Sequence, residues 1–280
     1  MTTWRLLDSG PLSPALNMAI DQAILALHAN GKSPPTVRFY QWRPPAVSLG
    51  YFQRRHNLDL EACRSLGIEV VRRPTGGKAV LHLGDLTYAV IAGTADGIPS
   101  AVTAAYRLIC EGLLSGFHSL GIEARMGRET RKSLQTDICF LRCAIGAIIH
   151  QGKKLVGSAQ TWHASSMLQH GSIIFTPQEE TLLEIWGGNS GASELQTSFK
   201  GRLTSIREIL EYSLDLDKLK AALREGLART LRVELSEGDL TWEEWGLARE
   251  IVNQEANHNP CPTRISPRSP SAGSGSALPA

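Results

Sequence analysis

RRPTGGKAVLH, residues 72–82, followed further along the chain by GKKLVGSAQ, residues 152–160, is the pair of stretches from which the rest of this sequence can be read. Paired arginines lead into a turn closed by Gly76 and Gly77, where the backbone can take positive φ and come close to a ligand. A β-like run carrying His82 follows. Such a loop suits an anionic or carbonyl-bearing ligand. Two glycines beside basic residues also occur in ordinary solvated hairpins, so the loop gains its meaning from the second stretch.

Together the two stretches resemble the lipoate and biotin protein ligase superfamily, whose lipoyl-type members carry an RRxTGG-x-A-V-x-H loop and a G-[KR]-K-x-x-G-S-A strand. WRLLDSGPLSPALNMAIDQA (4–23), RFYQWRPPAVSLGYFQ (38–53) and MLQHGSIIF (167–175) are similar to further segments of that family, in its order. The resemblance implies an α/β (α+β) fold of the biotin/lipoyl protein ligase type, related to class II aminoacyl-tRNA synthetases: a mixed and antiparallel sheet flanked by helices.

The composition agrees with one sizeable domain. The chain has 280 residues, 42% of them hydrophobic, and a formal net charge of +2 with 29 basic and 27 acidic side chains interspersed. No basic stripe for nucleic acid forms. Five cysteines at irregular spacing, and an N-terminus without a basic region followed by an apolar one, predict a reduced, cytoplasmic protein. No window approaches the ~18–20 apolar residues needed to cross a bilayer.

Periodicity outlines the elements. Ser13 and Pro14 supply an N-cap and a first helical position, and Leu16, Ile20, Ala23, Ile24 and Leu27 build one apolar face, predicting a helix from Pro14 to Ala29. Short β-rich runs begin at Thr36, Ala46, Ile68 and Leu86. A second helix is predicted over 100–120, with Gly121 available to end it. AIGAIIH and KKLVGSAQ, joined by Gln151 and Gly152, predict a hairpin with Lys154 on regular structure near its turn, and LQHGSIIF a further strand. An amphipathic helix over 217–231 and a helical stretch after Gly238 make a small appendage. The expected organisation is a catalytic domain over 1–210, a helical C-terminal appendage over 211–256, and a disordered Pro/Ser/Gly-rich tail over 257–280.

CFLRC, residues 139–143, precedes Lys154 by fifteen and eleven positions. A buried structural cysteine is the ordinary reading of such residues. The resemblance points elsewhere: octanoyl-transferring members carry a CF-x-x-P-S segment at this distance from the G-K-K strand, and its first cysteine is the nucleophile. Cys139 and Phe140 match it, whereas Cys143 and Ala144 replace Pro and Ser, so Cys143 stands as a second candidate. The matching family lysine is catalytic, which implies that role for Lys154 rather than Lys153. An ammonium beside a thiol raises its thiolate fraction and can hydrogen-bond the acyl carbonyl as charge develops there.

By the same resemblance His82 and His170 line the acyl site with Gly76, Gly77, Gly157, Ser158 and Ala159. A lone histidine on an apolar face is more often a hydrogen-bonded core residue than a catalyst, so both are read as pocket residues. For Arg72 and Arg73 two roles stand side by side: contact with a phosphopantetheine or nucleotide phosphate, or bracing of the loop. Cys139, Cys143, His163 and His170 do not have structural-zinc spacing. TGGKAV lacks the GxxxxGK[ST] pattern of a P-loop.

The resemblance therefore implies transfer of an octanoyl group from acyl-carrier protein, through a thioester on Cys139, to a lysine of a lipoyl-carrying protein such as the glycine-cleavage H protein or an E2 lipoyl domain, with no cofactor, metal, nucleic acid or membrane involved. The alternatives are an ATP-dependent lipoate–protein ligase, for which the appendage looks short, an amidotransferase between carrier proteins, and a non-catalytic acyl- or carrier-binding protein.

Overall fold

The computed structural model describes residues 2–53, 58–127, 146–187, 201–210 and 213–258. Its elements in chain order are β1 (Thr2–Leu12), α1 (Pro14–Ala29), β2 (Thr36–Trp42), β3 (Ala46–Leu49), α2 (Leu60–Ser65), β4 (Glu69–Arg72), β5 (Val80–His82), β6 (Asp85–Gly93), α3 (Val102–Ser119), β7 (Ala124–Met126), β8 (Ile148–His150), β9 (Lys153–His163), β10 (Ser166–Ile174), α4 (Glu179–Gly187), α5 (Ile206–Ile209), α6 (Leu216–Leu231), β11 (Val233–Glu237) and α7 (Trp242–His258). Candidate residues Cys139 and Cys143 and most of the tail fall outside the described residues.

Eight strands form one sheet in the order β11-β1-β2-β6-β10-β9-β8-β7, and β4-β3-β5 form a second. The large sheet is mixed: β1 runs parallel to both β2 and β11, while the pairs from β2 through β7 are antiparallel. Central strand β6 is buried along its whole length because both sheet faces are covered. Strand alternation divides its residues. Leu86, Tyr88, Val90 and Ala92 enter the core beneath α3, whose stripe supplies Ile109, Leu113 and Phe117; Ala89 and Ile91 enter the core beneath α1 with Ile20 and Ile24. The small sheet packs Val47, Val70 and Leu81 against Leu182 and Ile185 of α4.

The predicted helix boundaries at Pro14 and Ala29 hold, although the Ser13 side chain makes no capping hydrogen bond. The hairpin between β8 and β9 also forms, with Gln151 and Gly152 both at positive φ (47° and 82°), as a tight two-residue turn demands. Segment 213–256 contributes to both faces and to an edge of the large sheet. Helix α6 places Leu219, Leu223 and Leu227 in the α3 core. Backbones touch at that crossing: a Cβ on Gly226 would lie 2.4 Å from the Gly112 carbonyl oxygen. Strand β11, unforeseen from the sequence, pairs with β1, and α7 packs Ala248 into the α1 core. Arg5 grips Glu244 of α7 with two guanidinium nitrogens. Among the described residues no helix is long and apolar enough to cross a membrane.

Helix α1 is also held by charge. Arg38 of β2 donates from Nη1 to Asp21 Oδ1 at 2.7 Å and from Nη2 to Asn17 Oδ1 at 2.8 Å, with the side chains of Asp21 and Arg38 fully buried. Removing one member of such a pair strands the other charge in the interior. Arg38→Met should therefore lower the unfolding free energy by about 3–5 kcal/mol, and the double variant Arg38→Met/Asp21→Asn should recover part of that loss. Urea unfolding midpoints of the two variants check both statements.

Candidate acyl-binding site

A cavity opens between α1, the small sheet and the face of the large sheet that α1 covers. Met18 of α1, Tyr40 and Trp42 of β2, Ser48 of β3, Thr87 of β6, Gly157 to Ala159 of β9 and His170 to Ser172 of β10 form its walls, closed by Arg73, Gly77, Val80 and His82 from the loop and strand of the first motif.

The loop is seated by close backbone packing. Gly77 takes φ +95°, and a Cβ on Gly50 would lie 2.0 Å from the Gly77 carbonyl oxygen. Of the two glycines expected to turn the loop, Gly77 has the positive φ. Both arginines brace this region: Arg73 donates to the carbonyls of Ser48, Gly76 and Lys78 at 2.7–2.8 Å, and Arg72 to those of Gly50 and Gln53 at 2.7 and 2.9 Å. Gly171 is required by the opposite wall, where a Cβ would meet Ser158 Oγ at 2.5 Å.

Two hydroxyl–imidazole–carboxylate chains cross the site. In one, Ser48 Oγ lies 2.9 Å from His82 Nε2, and His82 Nδ1 lies 2.8 Å from Asp85 Oδ2, which also accepts from Ser172 Oγ at 2.6 Å and Thr87 Oγ1 at 3.2 Å. In the other, Thr75 Oγ1 lies 2.6 Å from His170 Nε2, and His170 Nδ1 lies 3.0 Å from Asp21 Oδ2, which also accepts from the Tyr40 hydroxyl at 2.9 Å. An ionised carboxylate only accepts, so each histidine carries its hydrogen on Nδ1 and offers Nε2 as acceptor. Burial opposes ionisation of Asp21, yet the Arg38 guanidinium and His170 outweigh it and hold that carboxyl below its usual range. Burial pushes the His170 imidazole down, keeping it neutral, although Asp21 partly opposes this.

These pairings explain the chemistry of the walls. The Trp42 indole donates to Thr87 Oγ1 at 2.8 Å and the Tyr88 hydroxyl to Ser158 Oγ at 2.8 Å. Polar side chains around the cavity are thus engaged with one another, leaving carbon surfaces toward its interior. An aliphatic chain can fill such a space without unpairing a polar group.

Lys154 sits at the start of β9, buried at 1% exposure, and does not itself line the cavity. A bulge directs it. Ile148 pairs with Val156 but Ile149 pairs with Lys154, so Leu155 is an extra residue in β9. Val156 pairs with core residue Ile173, and Gly157 with cavity residue Ser172. Simple alternation would put Lys154 with Val156; the bulge turns it instead to the face of Gly157 and Ala159. Its backbone is clamped by Arg202 and Thr204 through bonds of 2.7 and 3.0 Å, while Lys153 is exposed.

The structure therefore gathers His82, His170, Arg73, Gly77, Gly157, Ser158 and Ala159 around one cavity. Arg72 and Gly76 stand behind it. Sequence reasoning missed Asp21, Thr75, Ser48, Asp85 and Trp42. A signal existed for two of them: Asp21 interrupts an apolar helix stripe, and Asp85 follows His82 by three residues.

Residues 13–228 match the lipoyl protein ligase A/B catalytic domain. The chain is 37% identical over 266 residues to the octanoyltransferase LipM of Lysinibacillus sphaericus, covering 91% of this chain and 96% of the relative. Likewise it is 38% identical over 261 residues to LipM of Bacillus subtilis, covering 89% and 94%. Among solved structures, a lipoate-protein ligase A bound with ATP superposes with a TM-score of 0.75 at 25% identity, covering 93% of this chain and 98% of that one. A bi-partite lipoate protein ligase from Thermoplasma acidophilum superposes with a TM-score of 0.76 at 23% identity, covering 92% and 95%, a likeness of fold. By the match over residues 13–228 and the likeness to these relatives along about nine-tenths of its length, the chain belongs to the lipoyl protein ligase A/B catalytic domain family.

Proposed function

We propose that this chain transfers an octanoyl group from acyl-carrier protein, through a thioester on Cys139, to a lysine of a lipoyl-carrying protein such as the glycine-cleavage H protein or an E2 lipoyl domain. The observation that carries this reading is the likeness, over about nine-tenths of both chains, to octanoyltransferases. The cavity supports it, since its self-paired polar walls turn carbon surfaces inward, which suits an aliphatic chain. Chain length does not separate this activity from ATP-dependent ligation, because the chain spans 98% of the ATP-bound ligase.

In the reaction the cysteine thiolate attacks the donor thioester carbonyl, the carrier's C–S bond breaks, and the acyl group rests on the enzyme as a new thioester. The lysine amine of the acceptor then displaces the cysteine. Two of the other cysteines make poor nucleophiles: Cys63 and Cys110 are buried, and burial pushes their thiols up to about 11 and about 12. Lys154, a buried ammonium on the cavity-side face of β9, suits stabilisation of the thiolate and of the oxyanion that develops on the acyl carbonyl.

Purified protein, octanoyl-acyl-carrier protein and a lipoyl domain should yield an acceptor heavier by one octanoyl group without ATP; strict dependence on ATP and free octanoate would assign a ligase. Donor alone should add one hydroxylamine-labile octanoyl group to the enzyme, lost in Cys139→Ala and kept in Cys143→Ala. The reverse pattern relocates the nucleophile, and an adduct in the double variant rules out both cysteines. Lys154→Met should slow transfer about 10²–10³-fold, the usual effect of removing an oxyanion donor. Lys153→Ala, on the exposed face, should stay near the wild-type rate, and equal damage from both would count against a single catalytic lysine.

A further inference from the structure

Strand register sets the side chains of the cavity face in rows across the large sheet. Gly157, Ser172, Thr87 and Tyr40 stand opposite one another on β9, β10, β6 and β2, and all four line the cavity. In the next row stand Ala159, His170, Ala89 and Arg38. The first row is the floor of a trough running across the strands, because Gly157 has no side chain and Ser172 and Thr87 have small ones. Their hydroxyls are turned aside. Both donate to Asp85 Oδ2, at 2.6 and 3.2 Å, and Thr87 Oγ1 also receives the Trp42 indole at 2.8 Å.

The two hydroxyl–imidazole–carboxylate chains are the rails of this trough. Asp85, His82 and Trp42 flank one side, with the His82 ring stacked on the indole at 3.9 Å between centroids. Asp21, His170 and Arg38 flank the other. Moving either rail would unpair buried polar groups, so the width is fixed. One end is open and the other shut: Gly77 is exposed and Ser158 and Ala159 are half-buried, whereas Tyr40, Met18 and Thr87 are 0%, 1% and 2% exposed. Met18 lies one turn of α1 before Asp21 and beside Asn17, whose amide bonds the Gln41 carbonyl of β2, so it comes down over the shut end. From β9 to Thr87 on β6 is two strand spacings, ~10 Å, about the reach of an extended eight-carbon chain. A longer chain runs into Met18 and Tyr40.

We propose that this trough is a ruler for the acyl chain, and that Met18 is the residue that stops its terminal methyl at eight carbons. This rests on the acyl-transfer reading. The other residues of the shut end are tied into the rails, Tyr40 through Asp21 and Thr87 through Asp85. Met18 is apolar and takes no part in that polar network, so its size can change without unpairing a neighbour.

Competition between donors separates this role from a structural one. Hexanoyl-, octanoyl- and decanoyl-acyl-carrier protein are mixed in equal amounts with the enzyme and a lipoyl domain, and the acyl masses on the lipoyl domain are counted. Since the donors share one reaction, a change in the amount of folded enzyme or in overall rate leaves their ratio untouched. Wild type should favour octanoyl over decanoyl by about 10–200-fold per added methylene, the range for misfit in an apolar pocket. Met18→Ala should move the decanoyl-to-octanoyl ratio about tenfold or more toward decanoyl. Met18→Phe, which fills the shut end and serves if Met18→Ala fails to fold, should move the balance toward hexanoyl by a similar factor. Ile24→Ala, in the same α1 core but not lining the cavity, should keep the wild-type ratio. Equal use of octanoyl and decanoyl by the wild type, an unmoved ratio in a folded Met18 variant, or an equal shift in Ile24→Ala would overturn the ruler alone. No acyl group on the lipoyl domain from any donor would overturn the acyl-transfer reading and the ruler with it.

Discussion

A single buried carboxylate, Asp21, ties together the parts of this molecule that meet at the cavity. It lies on α1, receives Arg38 and Tyr40 from β2 and His170 from β10, and through His170 reaches Thr75 in the glycine loop. A carboxylate in a dry interior persists only when paired and hydrogen-bonded, so each partner is required by the others. Helix, central strands and loop are consequently held in one arrangement. The loop could not rest where it does if α1 were seated a turn away.

The walls of the site follow from the same rule of satisfied polar groups. Serine, threonine, histidine, tyrosine and arginine all line or back the cavity, yet they bond one another or backbone carbonyls. The result is an apolar space walled by polar residues, whose carbon surfaces face inward.

Backbone irregularity does comparable work on the far side. The extra residue at Leu155 lets Val156 enter the core while Lys154 turns toward the cavity face, which an unbroken strand could not do with two residues of the same parity. The fixed close approach of Gly50 to the Gly77 carbonyl, and the lack of room for any side chain at Gly171, set the opposing walls.

Local pattern carried much of this into the sequence. The helix from Pro14 to Ala29, the strand run beginning near Leu86, the Gln151–Gly152 hairpin and the small residues of the GSA strand were legible because periodicity and turn chemistry depend on neighbours along the chain. The family, and with it the cavity residues His82 and His170, was legible because its motifs are contiguous. Other features were not. Strand β11 has no strong pattern of its own and forms because β1 offers it a parallel edge. Lys154 read as a hairpin-edge residue, whereas a register shift and segment 202–204 bury it. Ser48 and His82 are 34 positions apart, and His170 and Asp21 are 149. The sequence by itself determined which elements form and which family they build; the tertiary structure alone decided which carboxylate faces which histidine, because hydrogen bonding and charge compensation in a buried site depend on distance through space rather than along the chain.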